Sequence, residues 1–370
     1  MRIESVELRE VALPLVTPFR TSVASQDDRN ALLVRITTSD GVVGWGECVA
    51  EDDPYYFPEY LSGEREVIRR WLAPTLAAEP GLLAAQVPGL LRPVRAHTMA
   101  KAAIEMAVLD AELKAAGVSL AQHLGAVHSS VPVGVSVGIT DTLDALLGQV
   151  EGYLSEGYGR VKLKVEPGWD LEPVRLVREA FGDDLALQVD ANTAYGPADI
   201  GHLKRLDAFG LVLIEQPFEP DDLDSHVSLA ARIDTPICLD ESIRSARDAT
   251  TALRLGACSI INIKPGRVGG YLESRRIHDL CSAVGVPVWC GGMLETGLGR
   301  AANLALAALP GFTLPGDISA TARYFRRDIT APFVLEPGGR LSVPTGPGIG
   351  IEPDRHALED ATTAVEVLTF

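Results

Sequence analysis

The sequence is poor in the features typical of secreted, membrane and nucleic-acid-binding proteins. Its five cysteines are odd in number and show no CxxC spacing, so we expect reduced thiols in the cytoplasm. No apolar run approaches about 18 residues, which predicts no membrane span. The net charge is −17 with no basic cluster, which argues against nucleic acid and anionic membrane partners. The charged, alternating start of the chain predicts no signal peptide.

Four charged residues follow short apolar runs at nearly equal steps along the chain. Asp190, Glu215, Asp240 and Lys264 are separated by 25, 25 and 24 residues. A short buried strand plus a crossover helix takes about that many residues, so the steps indicate consecutive βα units. The candidate strands lie at 133–137, 160–164, 185–189, 211–214, 236–239, 260–263, 286–290 and 312–314. Eight such units predict an α/β fold with a TIM-like (β/α)8-type barrel, and an open doubly wound sheet is the alternative.

The chain is long enough for a second domain beside the barrel. Residues 1–130 predict an α+β capping domain, with a helix over Thr98–Ala116 whose first residue can cap it. Its strands are expected at 6–15, 31–38 and 42–49, with a hairpin turn at 39–41. The barrel is expected over 131–330. Residues 331–370, rich in proline and glycine at first, are expected to return to the capping domain.

The acids at three of the strand ends predict a metal site. The strands of a barrel end at one rim, so Asp190, Glu215 and Asp240 should come together. Three carboxylates form a hard, oxygen-rich set that favours Mg²⁺, with Mn²⁺ or Co²⁺ as plausible substitutes.

Three lysines accompany these acids. Lys162 and Lys164 are two apart on one strand, so both point to the same side, and the apolar residues between them suit the helix layer. Both lysines are therefore expected inside the barrel. Lys264 ends the sixth strand and Lys164 the second, half a turn apart, so their amines should face each other. The alternative is that each lysine only balances a carboxylate.

Together these residues resemble a known set of motifs. They are Lys162-Leu163-Lys164, Asp190-Ala191-Asn192, Glu215-Gln216-Pro217, Asp240-Glu241-Ser242 and Lys264-Pro265-Gly266-Arg267. The chain resembles the enolase superfamily, in its muconate-lactonizing subgroup. Within that subgroup it is most similar to the o-succinylbenzoate synthase / N-succinylamino acid racemase (N-acylamino acid racemase) family.

The resemblance implies a modified (β/α)7β barrel and a role for each matching residue. Lys164 and Lys264 would be the opposed bases, Lys162 and Arg267 would support them, and Glu241 would lie behind the metal ligands. Substrate contacts are implied for Ser136, Asn192, Gly291, Met293 and Asp317.

Two reactions follow from the same resemblance. Opposed lysines would remove the α-proton of a small carboxylate substrate and return one to the other face, which racemises N-acyl amino acids. The same intermediate could lose a β-hydroxyl as water, which would make o-succinylbenzoate for menaquinone synthesis by syn-dehydration. A homo-oligomer, plausibly an octamer, is also implied.

Other functions stay open at this point. A muconate-type lactonizing enzyme and a metal-binding barrel without catalysis share the same fold and acids. A dipeptide epimerase is less favoured because Asp317-Ile318-Ser319 lacks a second acid. The mandelate racemase branch is less favoured because no histidine follows strand seven. The glycines at 297–299 resemble a dinucleotide fingerprint but come too late in the chain. As a helix N-terminus they could instead bind a substrate carboxylate.

Selectivity is expected to come from loops of the capping domain that cover the barrel mouth. Residues 18–28 and 51–56 follow predicted strands and mix aromatic with polar side chains. Phe19 and Tyr55 are the predicted contacts to the substrate.

Overall fold

The computed structural model describes all 370 residues and contains thirteen strands and fourteen α-helices. The strands are β1 (Ile3–Arg20), β2 (Ser25–Thr38), β3 (Val43–Cys48), β4 (Ser130–Pro132), β5 (Val135–Val137), β6 (Arg160–Lys164), β7 (Ala186–Asp190), β8 (Ile214–Glu215), β9 (Ile237–Leu239), β10 (Ile260–Ile263), β11 (Val288–Cys290), β12 (Arg340–Ser342) and β13 (Thr362–Thr369).

The helices alternate with the strands in the middle of the chain. They are α1 (Leu61–Val67), α2 (Ala73–Ala77), α3 (Val87–Leu91), α4 (Thr98–Ala116), α5 (Leu120–Leu124), α6 (Leu143–Glu156), α7 (Leu171–Phe181), α8 (Ile200–Leu203), α9 (Leu223–Ala230), α10 (Ala246–Leu255), α11 (Pro265–Val268), α12 (Tyr271–Ala283), α13 (Gly297–Ala307) and α14 (Arg355–Ala361). A π-helical turn spans Ile68–Leu72, and short 3₁₀ turns cover Ala84–Gln86, Pro197–Asp199, Lys204–Phe209 and Thr321–Arg323. None of the helices combines the length and apolarity needed to cross a membrane.

The N-terminal strands form an antiparallel sheet of order β13-β1-β2-β3. The predicted hairpin turn joins β2 to β3, with Gly41 at φ +82°. Strand β3 packs directly on α4, because a Cβ on Gly44 or Gly46 would lie 2.0 or 1.9 Å from a backbone oxygen of that helix. The C-terminal strand β13 pairs antiparallel with β1 and so joins the chain ends in one sheet.

The helix predicted over Thr98–Ala116 is present with those bounds, but its predicted cap is wrong. The side chain of Thr98 does not cap the first turn. Instead, the carboxylate of Glu59 accepts hydrogen bonds from the backbone N–H groups of Thr98 (2.7 Å) and Met99 (2.8 Å). A carboxylate contributed from outside the helix therefore takes the role that the sequence assigned to a local hydroxyl.

The middle of the chain forms a parallel sheet of seven strands in sequential order from β5 to β11. The register places Asp190 opposite Lys164 on one side and opposite Glu215 on the other. Charged residues at the ends of neighbouring strands are therefore adjacent in space, as the spacing predicts.

The eighth predicted strand, 312–314, is not a regular strand. Phe312 makes one isolated bridge to Val288, and Gly316 makes another to Val133, beside the opposite edge of the sheet. Pro315 lacks an N–H group, so a continuous ladder cannot form through it. These bridges connect both edges of the seven-stranded sheet, so it curls into a barrel, and the doubly wound alternative is excluded.

The helices between the strands follow the predicted alternation, with one departure. The connection between β7 and β8 is not one long helix but the short α8 between two 3₁₀ turns. Gly201 lies within α8, and glycine lowers helix stability by about 1 kcal/mol relative to alanine. The remaining connections place the carboxyl ends of β6 to β10 at one rim.

Candidate active site

The three acids are almost completely buried at this rim. Asp190, Glu215 and Asp240 expose 1%, 0% and 0% of their surface. Each has a lysine ammonium group beside it: Nζ of Lys162 lies 2.9 Å from Asp190 and 3.0 Å from Glu215, and Nζ of Lys264 lies 2.8 Å from Asp240. The acids and lysines therefore form one charged cluster inside the barrel.

The lysines line a cavity between the barrel and the capping domain. Of the residues predicted to contact substrate or act as bases, the cavity is lined by Lys162, Lys164, Lys264, Ser136, Asn192, Met293, Asp317 and Phe19. Lys164 and Lys264 both reach it from strand ends half a turn apart. The predicted acids lie beneath the lysines and do not line the cavity themselves.

Lys164 is held within the barrel. Its Nζ donates to Oδ2 of Asp190 and to Oδ1 of Asn192, both at 2.6 Å. Asn192 has a left-handed backbone at φ +43°, which asparagine tolerates better than most residues. Its Nδ2 donates to Oε1 of Glu241 at 2.9 Å, so Asn192 connects a lysine to a buried acid.

Arg267 is not an ordinary surface ion pair. Its guanidinium is 2% exposed and contacts Oδ1 of Asp240. It also donates to the backbone oxygens of Ile243 at 2.7 Å and Asn262 at 2.6 Å. Burial lowers the pKa of Arg267 to about 10, which still leaves it charged at neutral pH.

Asp317 reaches the site, but its carboxylate already has several protein partners. Oδ1 accepts from Arg160 at 2.6 Å, and Oδ2 contacts Nζ of Lys162 at 2.5 Å and the hydroxyl of Ser136 at 3.0 Å. Sequence reasoning missed Arg160, which is 1% exposed at the start of β6. Asp317 therefore lines the cavity with both oxygens in use.

Met293 and Gly291, both predicted to contact the substrate, have different roles in the structure. Met293 lines the cavity, whereas Gly291 contributes space beside it. A Cβ on Gly291 would lie 2.3 Å from Oδ1 of Asn262 and 2.8 Å from Cγ of Lys264. The absence of a side chain there leaves room for the stem of Lys264.

The prediction for Tyr55 is wrong. Its side chain is 73% exposed and does not line the cavity. The neighbouring Tyr56 does, and its hydroxyl lies 2.8 Å from Nζ of Lys264. Both tyrosines belong to an irregular loop, where no periodicity in the sequence tells which of two adjacent side chains faces the barrel.

Thr21, Gln26 and Glu51 line the cavity from the two capping-domain loops that the sequence analysis names. Two other residues of the site escaped that analysis, and the first, Tyr324, lines the cavity from outside these loops and the motifs. Asn262 donates from Nδ2 to Oε1 of Glu215 at 2.7 Å. Strand alternation could have found Asn262, because it lies two residues before Lys264 and so points to the same side.

The N-terminus of α13 does not offer its N–H groups to a ligand, which corrects that part of the sequence interpretation. The carboxylate of Glu47 accepts from the backbone N–H groups of Thr296 and Gly299, each at 2.9 Å. Asp328 accepts from the N–H of Gly297 at 3.0 Å. Protein carboxylates already occupy the place that a substrate carboxylate or a phosphate would need.

The pKa values of the lysines differ in direction within this one cluster. Burial lowers the pKa of Lys164, although Asp190 opposes that shift. Burial also acts to lower the pKa of Lys264, but Tyr56, Glu241 and Glu215 together raise it. Without a bound metal ion, Lys164 is therefore the more easily deprotonated of the two.

The pKa values of the buried acids also shift in different directions. Burial and the neighbouring Asp190 raise the pKa of Glu215, and the same two causes raise the pKa of Glu241. For Asp190 itself, burial is outweighed by Lys162 and Lys164, which lower its pKa. So many acids in one buried cluster attract additional positive charge.

The donor set fits a divalent cation. No three metal-capable side chains converge at ligating distances, and lysine ammonium groups lie against the acids instead. Each of Asp190, Glu215 and Asp240 thus has an ammonium partner that a dication can displace. In addition, Oε2 of Glu241 is buried with no hydrogen-bond partner. Buried carboxylate oxygens of this kind suit a hard ion.

Comparison with known proteins shows the family of the chain. Residues 3–125 match the family described as the mandelate racemase / muconate lactonizing enzyme N-terminal domain, and residues 145–357 match the enolase C-terminal domain-like family. The chain belongs to the enolase superfamily. Enzymes of this family typically use a divalent metal ion.

The similarity to individual superfamily members extends over the whole chain. An N-succinylamino acid racemase from Amycolatopsis is 61% identical over 364 residues, 98% of each chain. An o-succinylbenzoate synthase from Geobacillus kaustophilus is 48% identical over 98% of this chain and 96% of its own. A crystal structure of an enolase superfamily member from Listeria innocua matches with a TM-score of 0.95 at 40% identity, covering 100% and 99% of the two chains. The chain is therefore an enzyme with the proton-abstraction chemistry of this superfamily.

Proposed function

We propose that this enolase superfamily member racemises N-succinylamino acids and also forms o-succinylbenzoate. The observation that carries the proposal is the placement of Lys164 and Lys264 at one cavity, over three buried acids. Relatives named for each of the two reactions, at 61% and 48% identity, support the same pair of activities.

The acids and lysines divide the chemistry between them. Asp190, Glu215 and Asp240 would hold Mg²⁺, with Mn²⁺ or Co²⁺ as substitutes. When bound, the metal ion supplies positive charge that offsets the negative charge developing on the substrate carboxylate. Lys164 and Lys264 then remove and return the α-proton on opposite faces of the α-carbon. Lys162 lies between Asp190, Glu215 and Asp317 and stays charged, because these acids outweigh burial and raise its pKa.

One enolate intermediate serves both reactions. If the second lysine returns a proton to the opposite face, the configuration at the α-carbon is inverted. If the substrate carries a β-hydroxyl group, the electron pair of the enolate breaks the bond to that group, and the lysine that took the α-proton gives it to the departing oxygen, which leaves as water. A syn-dehydration needs only one lysine to remove the proton, while the other stabilises the intermediate with its charge.

Asp317 supports an acylated nitrogen in the substrate. A free ammonium group would need a carboxylate partner at the eighth-strand position, but both oxygens of Asp317 already contact Arg160, Lys162 and Ser136. A neutral amide nitrogen needs no such partner. This favours N-acyl amino acids over dipeptides with a free amine.

The test is exchange of the α-proton into D₂O with N-succinyl amino acids, beside dehydration of the o-succinylbenzoate precursor. We expect exchange from both enantiomers and inversion of configuration when Mg²⁺ is present. A protein that binds Mg²⁺ and the substrates but exchanges no proton would instead be the inactive metal-binding barrel. Formation of a lactone from muconate without exchange would favour the lactonizing alternative.

A cytoplasmic location is proposed from the state of the cysteines. All five cysteines are free and buried, which suits a reducing compartment such as the cytoplasm. A role in menaquinone synthesis would follow from the dehydration.

The homo-oligomer, with an octamer as one form, stays a prediction that light scattering after size-exclusion chromatography checks.

A further inference from the structure

We propose that Tyr56 is a positioning residue for Lys264, so that one of the two bases depends on the capping domain. The proposal rests on the proposed function, in which Lys264 is a base. Tyr56 lies in the loop between β3 and α1, whereas Lys264 follows β10 in the barrel. The amine of Lys264 is therefore one place where the two domains meet.

The hydroxyl group of Tyr56 joins these residues. It accepts a hydrogen bond from Nζ of Lys264 at 2.8 Å and donates its own proton to Oδ2 of Asp240 at 3.4 Å. A hydrogen bond to a charged amine restricts both the direction and the distance of that amine.

The other partner of Lys264 is not free to hold it during the reaction. Nζ of Lys264 lies 2.8 Å from Oδ2 of Asp240, which is a proposed metal ligand. A dication bound by Asp240 competes with the ammonium group for that carboxylate. The hydroxyl of Tyr56 is then the side-chain contact of Lys264 that the metal does not take.

Lys164 has a different arrangement. Its Nζ is held by Oδ1 of Asn192 at 2.6 Å, and Asn192 is part of the barrel itself. Both lysines thus have one acid partner and one neutral oxygen partner. The neutral partner of Lys164 is fixed to the same domain, whereas that of Lys264 arrives with the capping-domain loop.

The loop is closed at its base, which lets it hold Tyr56 in place. The backbone oxygen of Glu51 accepts from the N–H of Leu61 at 2.8 Å, and Glu51 forms a bridge with Tyr60. Residues 51–60 therefore form a compact loop with its ends together. Tyr56 and Phe57 pack with ring centroids 6.4 Å apart inside it.

The inference predicts an asymmetric effect on the two enantiomers. Lys264→Ala first identifies which enantiomer of an N-succinyl amino acid depends on Lys264, because that variant loses its exchange. Tyr56→Phe removes one hydroxyl and keeps the ring, so we expect kcat for exchange of that same enantiomer to fall about tenfold. Exchange of the other enantiomer should change by less than about twofold, and KM should stay similar for both.

Tyr55→Phe is the matched control, since it makes the same chemical change at the adjacent, exposed tyrosine. It should leave both exchange rates unchanged. Equal slowing of both enantiomers by Tyr56→Phe, slowing of the wrong one, an effect on KM alone, or no effect would each overturn the role of Tyr56. If Lys264→Ala removes exchange from neither enantiomer, or from both equally, the proposed function fails instead.

Discussion

Two sets of buried carboxylates in this enzyme differ in what holds them. The barrel set, Asp190, Glu215 and Asp240, lies against lysine ammonium groups. The capping-domain set contains Glu47, Glu59 and Glu105. These three accept hydrogen bonds from backbone N–H groups at the N-termini of α13, α4 and α12, respectively.

The kind of hydrogen-bond donor determines whether a buried carboxylate can change partners. A lysine side chain has several rotatable bonds and can leave one acid for another partner, whereas a backbone N–H in a helix cannot move without unwinding it. The barrel set is therefore able to exchange an ammonium group for a metal ion. The capping-domain set fixes helix ends, and Glu47 and Glu105 do so across the contact between the domains.

The largest expected effect concerns the lysines that accompany the barrel set. Lys164→Ala and Lys264→Ala should each reduce racemisation by roughly 10²- to 10⁴-fold, because inversion needs a base on each face. Each variant should still exchange the α-proton of one enantiomer, and the two variants should retain opposite enantiomers. Proton NMR in D₂O measures this. Equal exchange of both enantiomers by either variant would contradict the two-face arrangement.

Neutralising the barrel set should affect ligands more than folding. Asp190→Asn, Glu215→Gln and Asp240→Asn are each expected to weaken Mg²⁺ binding by at least about 10- to 100-fold. Each change leaves a neutral side chain of nearly the same volume in place, so the folded state should survive. Calorimetry measures the affinity and circular dichroism the folding. Normal affinity and turnover in a variant would remove that residue from the metal site.

Neutralising a member of the capping-domain set should lower the stability of the fold and leave metal binding unchanged. Glu47→Gln weakens three hydrogen bonds at the start of α13, to Thr296 N, Thr296 Oγ1 and Gly299 N. We expect the free energy of unfolding to fall by about 1–3 kcal/mol, with Mg²⁺ affinity unchanged. Urea denaturation gives the first quantity. A loss of metal affinity without a loss of stability would break the distinction between the two sets.

The capping domain is also expected to contribute selectivity through Phe19. This side chain lines the cavity and meets Tyr324 edge to face, with centroids 6.0 Å apart. Phe19→Ala should change the preference between acyl groups or side chains by several-fold, as ratios of kcat/KM. The exposed Tyr55→Ala is the control and should leave the ratios unchanged. Parallel loss on every substrate would mean that Phe19 closes the cavity without selecting.

A further effect should appear as a dependence of stability on pH. Burial raises the pKa of Glu105 to about 8 from its usual 4.5, although the N–H of Leu272 opposes this shift. The folded state therefore favours the protonated acid, so this group's contribution to stability declines from about pH 4.5 to about pH 8 and is constant above. Glu105→Gln removes that decline. Its unfolding free energy relative to the parent should rise between about pH 5 and about pH 8, and a constant difference would contradict the shift.

Local patterns in the sequence predict the barrel, the order of its strands and the positions of its charged residues. A parallel strand buried on both faces needs an apolar run, and a crossover helix needs a certain length, so Asp190, Glu215, Asp240 and Lys264 fall at regular steps. Strand alternation likewise predicted that Lys162 and Lys164 point inward. These features depend on local periodicity, which a single chain displays directly.

The contacts made by irregular segments depend on the tertiary structure. It selected Tyr56 over Tyr55, and it left residues 312–314 as isolated bridges. It also placed Glu59 at the N-terminus of α4 and Glu47 at the N-terminus of α13. In addition, it gave both oxygens of Asp317 partners on other strands. Each of these contacts joins residues far apart in the chain, or adjacent residues without a repeating geometry. Their partners are set by how the two domains pack, which no local pattern in the sequence encodes.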